Sequence, residues 1–398
     1  MNEGLNQSFI LSSTHSLIQP MPGIYLHIPY CKQACHYCDF HFSTVMKTKD
    51  DFINALLKEI ELQKDYFLPT ANYQLQTIYF GGGTPSLLTG EELKRIISQI
   101  KTFHTVADDA EITLEANPDD LSKEKIAELR DAGINRLSIG IQSFADEDLK
   151  WMNRAHTSAE AIQCVKDAQD AGFDNVSVDL IYGTPVLSHA QWEKNLEIVS
   201  KLDVQHLSCY ALTVEPRTAL SKFIASRQVA DVDEHKTSEH FDMLMDWAQA
   251  NQFEQYEISN FARRQKYSRH NSSYWSGEKY LGLGPSAHSF NGEARQWNVR
   301  SNPEYIRALE EGRLQFEKEE LTADQQYNEY VMTGLRTMWG CNIESMRKQF
   351  GEKRAEHFFQ NAINYINKDL LLQQKQNFVL TRAGKFFADR IASDLFIV

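Results

Sequence analysis

The chain has 398 residues, enough for roughly two to three domains, and its 42% hydrophobic and 24% charged content is that of an ordinary globular protein. Lys plus Arg is 41 and Asp plus Glu is 54, a net charge of −13, which argues against a general nucleic-acid binder, since such proteins carry a basic footprint. No stretch approaches the ~18 consecutive apolar residues of a membrane span. The first cation is Lys32, so the basic n-region of a secretory signal and the Arg-rich face of a transit peptide are missing; the expectation is a cytoplasmic protein.

Residues 1–23 are polar and aperiodic and are expected to form a loose tail, with Met21 an alternative start. An alternation of strands and helices follows. Ile24–Pro29 reads as a strand, a cysteine loop comes next, and Lys47–Tyr66 reads as an amphipathic helix. Thr77–Phe80 is a strand running into Gly81-Gly82-Gly83-Thr84-Pro85, and Thr89 with Glu92 forms a capping box for the next helix. Glu111–Ala116 is the third strand, with a helix from Ser122 to near Gly133. Arg136–Gln142 is the fourth, and Thr157 with Glu160 caps the helix behind it. Val176–Tyr182 is the fifth, Ser188 with Gln191 caps its helix, and His206–Leu212 is the sixth.

Six strand–helix units predict a parallel sheet covered by helices. A full barrel needs eight, and the alternation fades after Thr213, so the reading is an α/β fold with a partial (β/α)6 barrel over 24–213. A doubly wound sheet would carry G-x-G-x-x-G in its first strand–helix turn; that turn holds cysteines instead. Residues 214–302 read as an extension at the barrel edge, with a helix at Asp233–Gln249, an extended Glu254–Phe261 and a Gly- and aromatic-rich stretch. Residues 303–398 read as a smaller, mostly helical C-terminal domain: a helix at Leu321–Met338, then a strand pair or wing at Leu370–Leu380 and a closing helix at Thr381–Ile391.

Barrel sites lie at the C-terminal ends of the strands. Cys31, Cys35 and Cys38 follow strand one, the glycine run follows strand two, and Glu115, Gln142 and Asp179 fall at or near the ends of strands three to five. Three clustered cysteines suit an iron–sulfur cluster, which with only three thiolates keeps one iron open. They also suit zinc, with His36 or His41 as a fourth ligand, and Cys35 with Cys38 has the spacing of a redox pair. The flanking Tyr30, Tyr37 and Phe40 and the barrel mouth favour the cluster; spacing alone does not separate it from zinc. Cys164, Cys209 and Cys341 are scattered and read as small core residues.

Cys31-x3-Cys35-x2-Cys38 resembles the signature of radical S-adenosylmethionine (SAM) proteins. Tyr25-Leu26-His27-Ile28-Pro29-Tyr30, Gly81–Ser86, Arg136–Phe144 and Asp179-Leu180-Ile181-Tyr182-Gly183 resemble the HemN-like branch, that of oxygen-independent coproporphyrinogen III oxidases. The resemblance implies a 4Fe–4S cluster on the three cysteines and SAM chelating the open iron. It also implies SAM sites lined by Tyr25, Gly82, Gly83, Thr84, Glu115, Gln142, Arg154 and Asp179. The oxidases proper carry a further cysteine where this chain has Phe40, and a longer N-terminal arm. Both departures favour the HemW-like haem chaperone subgroup, whose H-N-x-x-Y-W signature resembles His270-Asn271-Ser272-Ser273-Tyr274-Trp275.

The implied function is therefore a chaperone that binds haem as cargo and delivers it to a haemoprotein. His270 is the expected haem ligand, supported by Tyr274 and Trp275, with His27 and His288 as competitors. The alternatives are a coproporphyrinogen III oxidase and a radical enzyme acting on an unrelated small substrate. The sequence identifies no particular haem acceptor or electron donor.

Overall fold

The computed structural model describes residues 22–67 and 73–398; the expected N-terminal tail, up to residue 21, lies outside them. Six strands come in chain order and pair in parallel with their sequential neighbours: β1 (Gly23–Ile28), β2 (Leu75–Gly82), β3 (Val106–Ala116), β4 (Arg136–Gln142), β5 (Val176–Tyr182) and β6 (His206–Ala211). This unbroken order is that of a barrel wall, not of a sheet wound outward in both directions from its centre. The intervening helices start where the sequence says they should. Thr89 with Glu92, Thr157 with Glu160 and Ser188 with Gln191 all form reciprocal capping boxes.

On β1, Ile24, Leu26 and Ile28 are fully buried against the helices. The period of two therefore turns Tyr25 and His27 to the opposite face. Parallel register aligns Tyr25 with Tyr79, Tyr79 with Thr113, Glu115 with Ser138, and Asp179 with Ser208. Polar and aromatic residues thus form one continuous inner surface, while aliphatic residues form the core outside it.

The segment expected as a single edge extension instead builds both edges. β7 (Glu254–Glu257) and β8 (Asn260–Ala262) form an antiparallel hairpin beside β6, so the extended run expected at Glu254–Phe261 is folded back on itself. β9 (Tyr280–Leu283) pairs in parallel with β1, and β10 (His288–Phe290), β11 (Ala294–Asn298) and β12 (Phe316–Glu320) continue antiparallel from it. The sheet stays open, with β12 and β7 at its ends.

Buried Glu59, on helix Lys49–Leu62, fastens the β9 edge. It accepts hydrogen bonds from Gly284 N (2.8 Å), Asn298 Nδ2 (2.6 Å) and the Tyr305 hydroxyl (2.5 Å). Helix Asn302–Glu310 also packs into the barrel core through Tyr305, Ile306 and Leu309, whereas the second core begins only at Tyr327 and runs to Leu395. By packing, the division falls some twenty residues beyond the boundary expected near 303, because Glu59 and the barrel helices hold the first helix of that segment. The C-terminal region has helices Ala323–Leu335, Ile343–Phe350 and Glu352–Ile366 beside a small sheet of β13 (Cys341–Asn342), β14 (Leu371–Gln374) and β15 (Asn377–Leu380). The expected closing helix is two short ones, Arg382–Lys385 and Ala388–Asp394.

Candidate functional site

The cysteine loop is held at the mouth of the sheet from several sides. Ser43 N donates to Pro29 O and Cys31 N to Ser43 O. Gln33 Nε2 donates to Asn153 O at 2.7 Å, and Asn153 Nδ2 returns a bond to Ala34 O at 2.8 Å. His36 N donates to Met152 O, and Leu220 N to His36 O. The loop is thus a fixed structure tied to the segment after β4, and all three thiols open into one cavity of about 830 Å³.

The glycine run packs directly beneath this loop. Gly83 N donates to Ile28 O at 2.9 Å, and a Cβ at Gly83 would lie 2.7 Å from the carbonyl oxygens of Ile28 and Tyr30. Gly82 has φ +105, a conformation that side chains disfavour, and its N–H donates to Glu115 Oε2 at 3.1 Å. Thr84 Oγ1 donates to Cys31 Sγ at 3.3 Å. Glu115 also accepts from the Tyr79 hydroxyl at 2.8 Å, and burial pushes its carboxyl up to about 7.

Arg154 lies across the cavity floor. Its Nη1 donates to Cys35 Sγ at 3.3 Å, and its Nη2 donates to Asn117 Oδ1 and Gly140 O, both at 2.6 Å. Its Nε is buried with no partner among the described residues. Asp179 accepts from Ser138 and Ser177 hydroxyls at 3.0 and 3.1 Å, and Gln142 holds a left-handed φ of 69 at the end of β4. Gly82, Gly83, Thr84, Glu115, Gln142, Arg154 and Asp179 therefore share a cavity with Cys31, Cys35 and Cys38. Tyr25 does not; it lines a second cavity. Sequence reasoning missed Tyr210, 44% exposed at the end of β6, and Arg336, Lys385 and Phe387 of the C-terminal region. Tyr210 was legible as a strand-end aromatic; the other three carry no local signal.

Three thiols on one cavity fit a group held by thiolates. Of the two nearby histidines, His36 has Nδ1 bonded to Trp151 O at 2.9 Å and His41 has Nε2 bonded to Asn302 Oδ1 at 2.7 Å. Burial raises the Cys31 thiol and pushes that of Cys38 up to about 12, so thiolates here need a strong positive partner. The unpaired Arg154 Nε is the matching donor for an anionic group such as the carboxylate of SAM.

The second cavity, about 1310 Å³, lies between the β9–β11 edge and the C-terminal region. Tyr274, Trp275, Tyr280, Phe290, Trp339 and Phe350 give it aromatic walls, and Asp39 and Phe40 border both cavities. His270 is not on its wall. Helix Arg269–Trp275 does place His270 and Tyr274 on one face, as the i, i+4 spacing predicts, but His270 is 1% exposed and both ring nitrogens are bonded. Nδ1 pairs with Thr77 Oγ1 at 2.7 Å and Nε2 with the Tyr274 hydroxyl at 2.8 Å. The ring stacks on Tyr79 at 4.9 Å, and burial holds its imidazole down at about 3.

An open six-strand parallel wall, a fixed CxxxCxxC loop at its mouth and a glycine run beneath that loop define a radical SAM protein. The sequence model of the radical SAM superfamily matches residues 25–199, and that of the HemN C-terminal domain matches 321–387. The chain is 33% identical to the heme chaperone HemW of Bacillus subtilis over 93% of its length and 98% of that protein. It is 34% identical to the heme chaperone HemW of Mycobacterium tuberculosis over 95% and 96%. The coproporphyrinogen III oxidase HemN of Escherichia coli, described as a radical SAM enzyme, shares the fold at a TM-score of 0.81 and 21% identity, covering 95% of this chain and 90% of that one. The chain belongs to the radical SAM superfamily and, within it, to the heme chaperone HemW family. No helix among the described residues is long and apolar enough to cross a membrane.

Proposed function

We propose that this protein binds haem and passes it to an acceptor haemoprotein from a scaffold that also holds a 4Fe–4S cluster and SAM. The observation that carries this reading is the pair of adjoining cavities sharing Asp39 and Phe40: one lined by three thiols, the other broad and aromatic. The heme chaperone names of the relatives agree with it.

Cys31, Cys35 and Cys38 would hold the cluster. Gly82, Gly83, Thr84, Glu115, Gln142, Arg154 and Asp179 would surround SAM. When bound, the pair supplies one-electron reductive cleavage of the sulfonium to a deoxyadenosyl radical. Arg154 contributes a fixed cation, already oriented by Asn117 and Gly140. Glu115 fixes the Gly82 backbone through its carboxyl group, which burial raises to about 7. In the other cavity, aromatic faces supply stacking area for a flat macrocycle.

A coproporphyrinogen III oxidase is the second reading, favoured by the fold shared with HemN. Against it stands Phe40, 66% exposed where that branch carries a further thiol. The deciding experiment uses anaerobically reconstituted protein. Haem titration and transfer to an apo-haemoprotein are measured on one sample, and conversion of coproporphyrinogen with SAM and a reductant on another. Haem transfer without conversion supports the chaperone; conversion without haem binding replaces it with the oxidase.

A further inference from the structure

The aromatic cavity contains four imidazoles at or just behind its wall, and their hydrogen bonds sort them. His270 is spent on Thr77 and Tyr274. His27 is spent on the His41 carbonyl at 2.8 Å and the Tyr25 hydroxyl at 3.2 Å. His41, also on the wall, is anchored through Nε2 to Asn302 and keeps only Nδ1 to compete. His288, on β10, is exposed on the cavity wall and makes no side-chain hydrogen bond among the described residues. Its ring is oriented by stacking on Trp297 of the neighbouring strand, 6.0 Å between centroids and 29° between planes.

The cations on that wall sort in the same way. Arg295 is paired with Glu329 at 2.9 Å, and Arg269 with Asp109 at 3.3 Å. Arg300, just past β11, is exposed on the cavity with no ion pair or hydrogen bond from its side chain among the described residues. An oriented imidazole with both nitrogens free, a free guanidinium and aromatic walls match the three parts of an iron porphyrin with carboxylate side chains: metal, anion and flat ring.

We propose that His288 is the axial ligand of haem in this cavity and that Arg300 binds a haem carboxylate, with His270 a positioning residue that fixes Tyr274 from behind the wall. This rests on the haem-cargo reading above and assigns the ligand to a different strand from the expected H-N-x-x-Y-W segment. Tyr274 is the link between the two, since its hydroxyl meets His270 while its ring packs edge-on against Tyr280 at 4.6 Å.

The test is titration of the full, cluster-loaded chain with ferric haem, reading the Soret band and the electron paramagnetic resonance of the iron. His288→Ala is expected to lose the imidazole signature and about tenfold or more in affinity, and added free imidazole is expected to restore the signature. Arg300→Ala is expected to weaken haem but not haem dimethyl ester, which lacks the carboxylates. Thr77→Val, which releases one side of the His270 ring without removing it, and His270→Ala, if its circular dichroism is unchanged, are expected to keep the signature. An unaltered spectrum in His288→Ala, or loss of the signature only in a folded His270→Ala, overturns the assignment while leaving the cargo reading intact. Failure of the wild-type chain to bind haem overturns both.

Discussion

Arg154 Nη1 lies 3.3 Å from the sulfur of Cys35, 119 residues earlier in the chain, and the same guanidinium grips Asn117 and Gly140 through Nη2 at 2.6 Å. One side chain thus joins the cysteine loop, the loop after β3 and the end of β4. Arg154→Ala is expected to weaken SAM binding by about tenfold to a hundredfold, the loss of a charge-assisted bond of about 1.5–3 kcal/mol. Arg154→Lys is expected to recover only part of this, because an ammonium lacks the planar fork. Calorimetric SAM titration of the cluster-loaded chain reads the effect; equal affinity in Arg154→Ala would remove Arg154 from the SAM site.

The six cysteines are expected to divide cleanly. Ala at Cys31, Cys35 or Cys38 should abolish stoichiometric iron and sulfide after anaerobic reconstitution, since these three thiols alone among the cysteines line the cavity at the sheet mouth. Ala at Cys164, Cys209 or Cys341, all buried in the cores, should leave iron content unchanged and cost only core packing. Stoichiometric zinc in place of iron would refute the cluster.

Purified, reconstituted protein is expected to form no protoporphyrinogen from coproporphyrinogen in the presence of SAM and reductant. Phe40, exposed at the position of the oxidases' extra thiol, motivates this. Product formation at enzyme-like rates, followed by fluorescence of the oxidised porphyrin, would promote the oxidase reading.

Glu59 gives a stability test independent of any cofactor. Burial raises its carboxyl from 4.5 to about 7, so between those values the folded chain keeps a proton that the unfolded chain has released. By linkage its contribution is complete below pH ~4.5 and lost as pH rises through ~7, a change of about 3 kcal/mol. Glu59→Gln is expected to flatten that part of the pH–stability profile in chemical denaturation. Glu59→Ala should cost about 1–3 kcal/mol at every pH, since it strands the donors of Gly284, Asn298 and Tyr305. A Glu59→Gln profile with the same slope as the wild type across this window would refute the shift.

What was legible in the sequence was local. A capping box closes within four residues, so Thr89, Thr157 and Ser188 announced their helices without help from the rest of the chain. The strand–helix rhythm gave six parallel strands; strand ends gave Gly82, Gly83, Glu115, Gln142 and Asp179, the family resemblance added Thr84 and Arg154, and all seven share one cavity with the three thiols. Strand alternation also separated Tyr25 and His27 from Ile24, Leu26 and Ile28, but a period of two says only which residues share a face, never what that face meets.

Tertiary structure decided the rest. β9 reaches β1 across more than 250 residues, and the second cavity draws its wall from His41, Tyr274, His288 and Phe350 together. His270 looked like an available ligand by motif, yet Thr77, 193 residues away, takes one of its nitrogens. No local pattern encodes such pairings. They follow from which buried polar groups find partners once the chain has folded around them, and a buried imidazole left unpaired would cost more than the folded state can spare. The sequence by itself therefore determined the scaffold and the cysteine loop; only the assembled edges decided which histidines remain free.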